Sequence, residues 1–410
     1  MSQAILVINT GSSSLKFSVF FQSLKTSELE FHSKGQIEGI GVAPTFDVKD
    51  KNNETIFKNT WAKSEKQTHE LLLRYLITWL NDFHLQGVKL VAVGHRVVHG
   101  GSKYSEPVTV DDKIISDLER LIPLAPLHQP HNLTAIKILM KSYPELLQVA
   151  CFDTSFHSTN PEVLQHFFIP RDLEKEGVRR YGFHGLSYEY VHKVLAEYHS
   201  HIEKKKIIIA HLGSVASMCA LNHGKSVTTS MGFTALDGIP MGTRPGTLDV
   251  GVVLYLMNEK KMAIQEIETL LYKKSGLLGL SGISNDLRTL ESSQDPRAEE
   301  ALEAYAWRIA QMTGQLAATL EGLDGFVFTA GMGENSDLLR LRICKKLKWL
   351  GLELDFDNNK NGRGNLLAEG FCISSAHSKI PVWVIPTNEE LMIAQHCLPK
   401  LNSVKKTGPK

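Results

Sequence analysis

The sequence predicts an α/β fold with mixed sheets, laid down twice along one chain. Short apolar, β-branched runs alternate with longer segments whose apolar residues recur at helical spacing, as strands and helices sharing a core do. A strand, a tight polar turn and a second strand near the start return as a similar pattern past mid-chain, which suggests a duplicated architecture. Polar and cationic groups cluster just beyond the apolar runs, where α/β folds place their ligands.

Residues 4–8 are apolar and β-branched and read as a buried strand. A polar turn over residues 9–14 follows, and residues 15–21 resume an apolar, partly alternating pattern with Lys16 and Ser18 as polar members. The second copy places strands at 206–210 and 218–221 around a small polar turn at 211–217. Residues 68–83 carry Leu71, Leu72, Tyr75, Leu76 and Leu80 on one helical face, and 299–320 form a long helical run rich in Ala, Leu, Glu and Gln. Residues 88–93, 147–151, 325–329 and 381–385 read as further buried strands. The basic tail, 402–410, contains Gly and Pro and is expected to fray.

Composition narrows the function classes. The 410 residues suffice for two or three domains. A net charge of +1 without a basic stripe gives no reason to expect a nucleic-acid partner. Five scattered cysteines with no close pair fit free thiols in a reducing, cytoplasmic compartment. The first nine residues lack the basic lead of a signal peptide, and no apolar run reaches the roughly 18 residues of a membrane span.

Several motifs could carry chemistry, each with a plainer alternative. The first turn offers Gly11, Ser12, Ser13, Ser14 and Lys16. Glycine lets amides approach a phosphate and hydroxyls add donors; a serine-rich hairpin turn is the alternative. Arg96, in a glycine-flanked segment after a strand, suits bidentate binding of carboxylate or phosphate, or is a surface arginine beside a turn. His95 and His99 have helical metal-ligand spacing, but the glycines and paired valines around them argue against a helix and against zinc. Asp153 lies just past a buried strand and is a catalytic carboxylate or a cap. Arg179, Arg180, Phe183 and His184 share a glycine-punctuated loop, and Arg244 sits on another. Residues 326–336 read as strand, glycine turn and helix start, a place where backbone amides can receive a nucleotide, although one GxG is weak evidence. Thr387 and Glu390 form a capping-box pattern that leaves Glu389 unassigned.

Taken in order, these segments resemble the signatures of the acetate and propionate kinases: residues 9–16, 94–101, 124–128, 152–157, 180–185, 231–246, 331–336 and 388–390. The resemblance spans nearly the whole chain. It implies the actin/Hsp70/sugar-kinase fold, with two duplicated ribonuclease-H-like domains and a cleft between them. It places the N-terminal domain at residues 1–153 with 390–410. The C-terminal domain, at 154–389, would carry the nucleotide site and the dimer interface of a homodimer. It implies ATP and ADP as co-substrates, Mg²⁺ with Mn²⁺ as the alternative, and acetate as acceptor with propionate second. Asn9 and Glu389 match the family's metal positions. Lys16, with Ser12 and Ser14, matches phosphate contacts, and Arg96 matches the arginine on the substrate carboxylate. Asp153, His184 and Arg244 match catalytic positions. His211, Leu212, Gly213, Ser214 and Val215 match one stretch of the nucleotide site. Asp286, Leu287 and Arg288 match a second, and Gly331, Met332, Gly333, Glu334 and Asn335 a third. Val98, Leu127, Phe183 and Ala235 fall where the family has its acyl pocket.

The resemblance implies direct in-line transfer without a phospho-enzyme, with Asp153 orienting Arg96 or metal-bound water. Removing Arg96 or Arg244 should cost catalysis and spare the fold, since both read as residues of polar loops. Two departures stand out. Ser214 and Val215 replace the family's asparagine and glycine, where a positive φ or a close phosphate approach would exclude valine. A weakly active nucleotide-binding member thus stands beside a propionate kinase as an alternative to an acetate kinase. Ala235 stands where strict acetate kinases usually have proline, giving the pocket room, while Val98 narrows it.

Overall fold

Ladder pairing sorts the strands into two sheets, and the computed structural model describes residues 2–23, 28–361 and 369–407. The chain divides into two units, one running to Ser155 and resuming at Asn388, the other Phe156–Thr387. In the first, among the described residues, the strands are β1 (Ser2–Thr10), β2 (Ser14–Ser23), β3 (Leu29–Glu38), β4 (Thr45–Asp50), β5 (Thr55–Thr60), β6 (Lys89–Val97), β7 (Val108–Thr109) and β8 (Leu147–Phe152). Their order is β5-β4-β3-β2-β1-β6-β8-β7. The hairpin β1–β2 sets Asn9 opposite Lys16, and β1, β6 and β8 run parallel.

The second unit repeats the plan. Its strands are β9 (Lys206–Leu212), β10 (Ala216–Asn222), β11 (Lys225–Thr229), β12 (Gly325–Thr329), β13 (Phe371–Cys372) and β14 (Val382–Val384). They are ordered β11-β10-β9-β12-β14-β13. The run β3-β2-β1-β6-β8 and the run β11-β10-β9-β12-β14 share one pattern of antiparallel hairpin, then parallel partners. The duplication read from two short hairpins is therefore a property of whole sheets.

Several strands run further than their apolar cores predict. Asn9 and Thr10 belong to β1, His211 and Leu212 to β9, and Gly94–Val97 to β6 rather than to a following loop. Polar ends of this kind are held by tertiary partners, which a local pattern does not display.

Helix His69–Trp79 is capped by Thr68, whose Oγ1 accepts from Leu71 N at 3.3 Å. It buries Leu72, Leu73, Leu76, Ile77 and, one turn on, Leu80 against β1, β2 and β4 residues. Leu71, assigned to that face, is 50 % exposed. The buried stripe is rotated by one residue, because 72, 73, 76, 77 and 80 cover the sheet more completely. Each such leucine contributes about 1.5–3 kcal/mol through burial. Helix Pro296–Leu320 starts three residues earlier than read, because Asp295 caps it and Pro296 suits the first turn.

Helix Glu389–Thr407 packs on β6, β1 and β8. Gly94 permits the approach: a Cβ there would lie 2.4 Å from Ile393 Cγ2. Its cap is Asn388, whose Oδ1 accepts from Leu391 N at 3.0 Å. The Thr387–Glu390 capping box is thus not formed; the Thr387 hydroxyl bonds Ser187 Oγ instead, at 2.7 Å. The tail expected to fray continues this helix to Thr407, and residues 408–410 lie outside those described.

His95 is 1 % exposed on β6 and its Nε2–H donates to Gln148 Oε1 on β8 at 2.8 Å. Burial pushes its pKa from 6.5 down to about 4. Between those values the unfolded chain binds a proton that the folded one refuses. Stability is therefore complete above pH 6.5 and falls as pH drops towards 4, by about 3 kcal/mol for this group. Urea unfolding across that range should show the fall, and His95→Asn should make it shallower, the lowered pKa of His84 keeping part of it. An equally steep fall in the variant would remove His95 as its source.

Candidate active site

Arg96 lies near the end of β6, and Asp153 follows β8 with its N–H donating to Val97 O at 3.1 Å. That bond sets the aspartate beside the arginine. Nε and Nη2 of Arg96 donate to Oδ1 and Oδ2 of Asp153 at 2.9 and 2.7 Å. Glu389, in the first turn of its helix, brings Oε2 within 3.5 Å of Arg96 Nε. A guanidinium has five N–H donors, so the Asp153 fork leaves donors for a second carboxylate. Burial works against the Arg96 charge, but Asp153 and then Glu389 outweigh it and raise the pKa, so the group stays cationic. The pKa of Glu389 is pushed up to about 7, first by burial and then by the fields of Asp153 and Glu390, with Arg96 opposing.

The first hairpin turn is closed by Gly11 N donating to Ser14 O at 2.8 Å, with Ser12 and Lys16 exposed beside it. Val98 follows β6, half-buried, and Leu127 is 37 % exposed just before helix Gln129–Ser142.

In the second unit His184 caps helix Gly185–Tyr198 in the left-handed region, φ 58°. Backbone strain of that kind on a non-glycine residue often marks a functional site. His157 Nε2–H donates to Phe183 O at 2.9 Å, fixing the preceding residue, and Gly182 admits the His157 ring where a Cβ would lie 2.7 Å from its Cδ2. His184 Nδ1 bonds Ser217 Oγ at 2.8 Å, and the Tyr188 hydroxyl bonds the same serine. His211 Nδ1 bonds Ser187 Oγ at 2.8 Å. The two imidazoles stack at 4.1 Å between centroids. Arg244 is held by Nη1 donating to Ala235 O at 2.9 Å and by the Tyr272 ring at 5.2 Å; burial lowers its pKa.

A cavity of about 720 Å³ gathers parts of three sequence stretches: Ser214, then Asp286, Leu287 and Arg288, then Gly331, Met332 and Asn335. That volume suits a ligand of nucleotide size. Ser336, which closes the third stretch, also lines it, with Asn285, Glu291, Asp337 and Leu338, which carry no recognisable motif. Helix Ala330–Asn335 begins directly after β12, so the glycines belong to its first turn rather than to a separate one. Glu334 points inward, its Oε1 accepting from Ala330 N at 2.7 Å and Thr387 N at 3.0 Å. That pair holds Ala330 in its left-handed conformation, φ 64°. Ser187, Tyr188, Ser217 and Thr387 were not legible as site residues, because a serine or threonine carries no signal until its tertiary partner is known.

A duplicated α/β plan, an arginine held by carboxylates at parallel strand ends and a cavity of nucleotide size define an α/β phosphotransferase. The chain belongs to the acetokinase family, whose sequence profile matches residues 4–395. It is 50 % identical over 396 residues to an acetate kinase of Nitrobacter hamburgensis, covering 96 % of this chain and 95 % of that one. It superposes on the crystal structure of Porphyromonas gingivalis acetate kinase with a TM-score of 0.86 at 36 % identity, covering 97 % of this chain and 100 % of the other. A propionate kinase from Francisella tularensis gives the same TM-score and identity, covering 96 % and 98 %. The chain is accordingly a kinase with a carboxylate acceptor, using ATP and ADP, in the fold that the motif resemblance implied.

Arg244→Ala should fold normally and lose about 100-fold or more in turnover, the size expected for a transition-state donor. Arg96 differs from the sequence expectation, because it lies in β6 and pairs with a carboxylate that is 3 % exposed. Arg96→Ala should therefore also destabilise, by about 3–5 kcal/mol, and Arg96→Lys is the cleaner kinetic probe. Near-normal turnover in Arg244→Ala or Arg96→Lys would remove that residue from the reaction.

The turn Gly213–Val215 contains no positive φ, so Val215 sits there without backbone strain. What remains of the departure is Ser214 on the cavity wall, in place of a longer amide. Ser214→Asn with Val215→Gly should raise kcat/KM for ATP about tenfold, the worth of one phosphate hydrogen bond. A flat or lower value would show that the turn does not limit nucleotide use.

Proposed function

We propose that this protein transfers the γ-phosphoryl group of ATP to acetate, reversibly, giving acetyl phosphate and ADP by direct in-line attack. The observation that carries the reading is Arg96, fixed by Asp153 with donors to spare at a parallel strand end. A short carboxylate, with a pKa roughly that of a free Glu, near 4.3, is already ionised at pH 7, so no base is needed. The task is to bring two anions together. At 4 Å and an effective dielectric of 20 their repulsion is about 4 kcal/mol per charge pair. Arg96 binds and screens the carboxylate, Asp153 orients Arg96, and Arg244 and His184 stabilise charge on the transferring phosphoryl.

The charge balance around Arg96 fits a divalent cation. Two carboxylates face one guanidinium, and burial strains Glu389 towards protonation. Among the described residues no cluster of three or more His, Cys, Asp or Glu would cage a metal alone. That suits Mg²⁺, which is commonly held by one or two carboxylates plus phosphates and water. Glu389 and Asn9 would hold it, and it would neutralise phosphate charge.

A hydroxamate-trapping assay with ATP, Mg²⁺ and short carboxylates tests the reading. Acetate should lead and propionate follow, since one methylene is worth about 1–3 kcal/mol; Val98→Ala should shift the ratio towards propionate. No acyl phosphate, or propionate ahead in kcat/KM, would overturn the assignment.

A homodimer accounts for one surface. Helix Val250–Asn258 has no charged residue and buries none. Val250 is 67 % and Leu254 56 % exposed, with Ile264 at 67 % nearby in sequence. Apolar surface of this extent marks an interface, and a two-fold dimer is its commonest cover. Leu254→Glu should yield monomers by light scattering; an unchanged mass would place the interface elsewhere. Four of the five cysteines are buried, and no helix among the described residues is long and apolar enough to cross a membrane. Five cysteines scattered along the sequence with no close pair support a cytoplasmic site of action.

A further inference from the structure

β1 and β6 pair in parallel only as far as Ile8 and His95. Beyond that register the two strands carry Asn9 and Arg96, the residues on which the proposed metal and carboxylate sites depend, and no backbone ladder joins them there. One side chain spans the gap. Asn132, 4 % exposed in helix Gln129–Ser142, accepts from Val98 N at Oδ1 (3.1 Å) and donates from Nδ2 to Thr10 O (2.9 Å). Thr10 directly follows Asn9, and Val98 lies two residues past Arg96. Neighbouring contacts secure the same edges. Gln129 bonds both the N–H and the carbonyl of His99, at 3.2 and 3.0 Å, and His69 Nε2–H donates to Gly11 O at 3.1 Å.

We propose that Asn132 is a positioning residue: it replaces the missing ladder between β1 and β6 and so sets the distance between Asn9 and Arg96. The inference rests on the acetate-kinase reading of that site. Both ends of the amide are needed, an acceptor for Val98 and a donor for Thr10. An error of one ångström between reacting groups can cost about 100-fold in rate. The effect should therefore appear in kcat, with KM for acetate little changed.

Asn132→Leu removes both bonds and should lower kcat by about tenfold to 100-fold, but it also leaves two buried backbone groups unpaired. The decisive variant is Asn132→Asp in the full-length chain. Its carboxylate still accepts from Val98 N, and only its protonated form can donate to Thr10 O. Burial beside a carbonyl raises the pKa of that carboxyl. The ratio of variant to wild-type kcat should thus climb as pH falls, from about a tenth at pH 8 towards near unity at about pH 5.5. Folded fraction is to be checked by circular dichroism at each pH. A ratio that stays flat across that range, or a loss confined to thermal stability, would overturn the positioning role while leaving the acetate-kinase reading intact. Absence of acyl phosphate from the wild-type enzyme would overturn both.

Discussion

A part-buried guanidinium held between carboxylates organises the first unit. Removing Arg96 from water is costly unless its charge is matched, and Asp153 matches it with two parallel hydrogen bonds. The pairing demands that β6 and β8 end side by side, which the Asp153–Val97 backbone bond secures. It demands that the last helix begin where Glu389 reaches the same arginine, which Asn388 secures by capping. It also demands that this helix lie close on β6, which the missing side chain of Gly94 allows. Sheet, cap and close packing thus serve a single electrostatic arrangement.

The second unit uses the same sheet plan for a different task. Its strand ends present uncharged donors and histidines where the first unit presents charge. The imidazoles of His184 and His211 are each tied at Nδ1 to a serine, so their ring planes are set by Ser217 and Ser187. Glu334 is spent on backbone amides rather than offered to a ligand, and that is how a non-glycine residue, Ala330, keeps a left-handed turn between β12 and its helix. One topology thus presents a guanidinium held by carboxylates in one copy and a nucleotide-sized cavity in the other.

The strand cores and both hairpins were legible because β-branched runs bounded by small polar turns admit few alternatives. The order of motifs pointed to the family even where each motif alone was ambiguous. What escaped was whatever depends on a partner distant in sequence. Arg96 looked like a loop residue because its flanking glycines suggest a turn, while the strand is extended by pairing with β8. Leu71 looked buried because periodicity gives a stripe but not its rotation about the helix axis. Thr387 looked like a cap because the pattern fits, while Ser187, 200 residues away, claims its hydroxyl. Of the residues lining the cavity, Asn285 and Glu291 had no signal to give.

The departure at Ser214 and Val215 shows how such reading is corrected. From sequence, valine in place of glycine is alarming because glycine is so often required for a positive φ. The folded turn does not ask for one, and Ser214 even contributes its carbonyl to Gly242 N at 3.1 Å, fastening the loop that leads to Arg244. A turn of the same length closes the first hairpin, where Gly11 is followed by three hydroxyl residues. The second turn keeps one hydroxyl and adds an isopropyl group. Both close the hairpin equally well, so the backbone places no bar on the substitution. Any difference this chain shows from its relatives at that turn must then arise from the reach of one side chain into the cavity, not from a distorted fold.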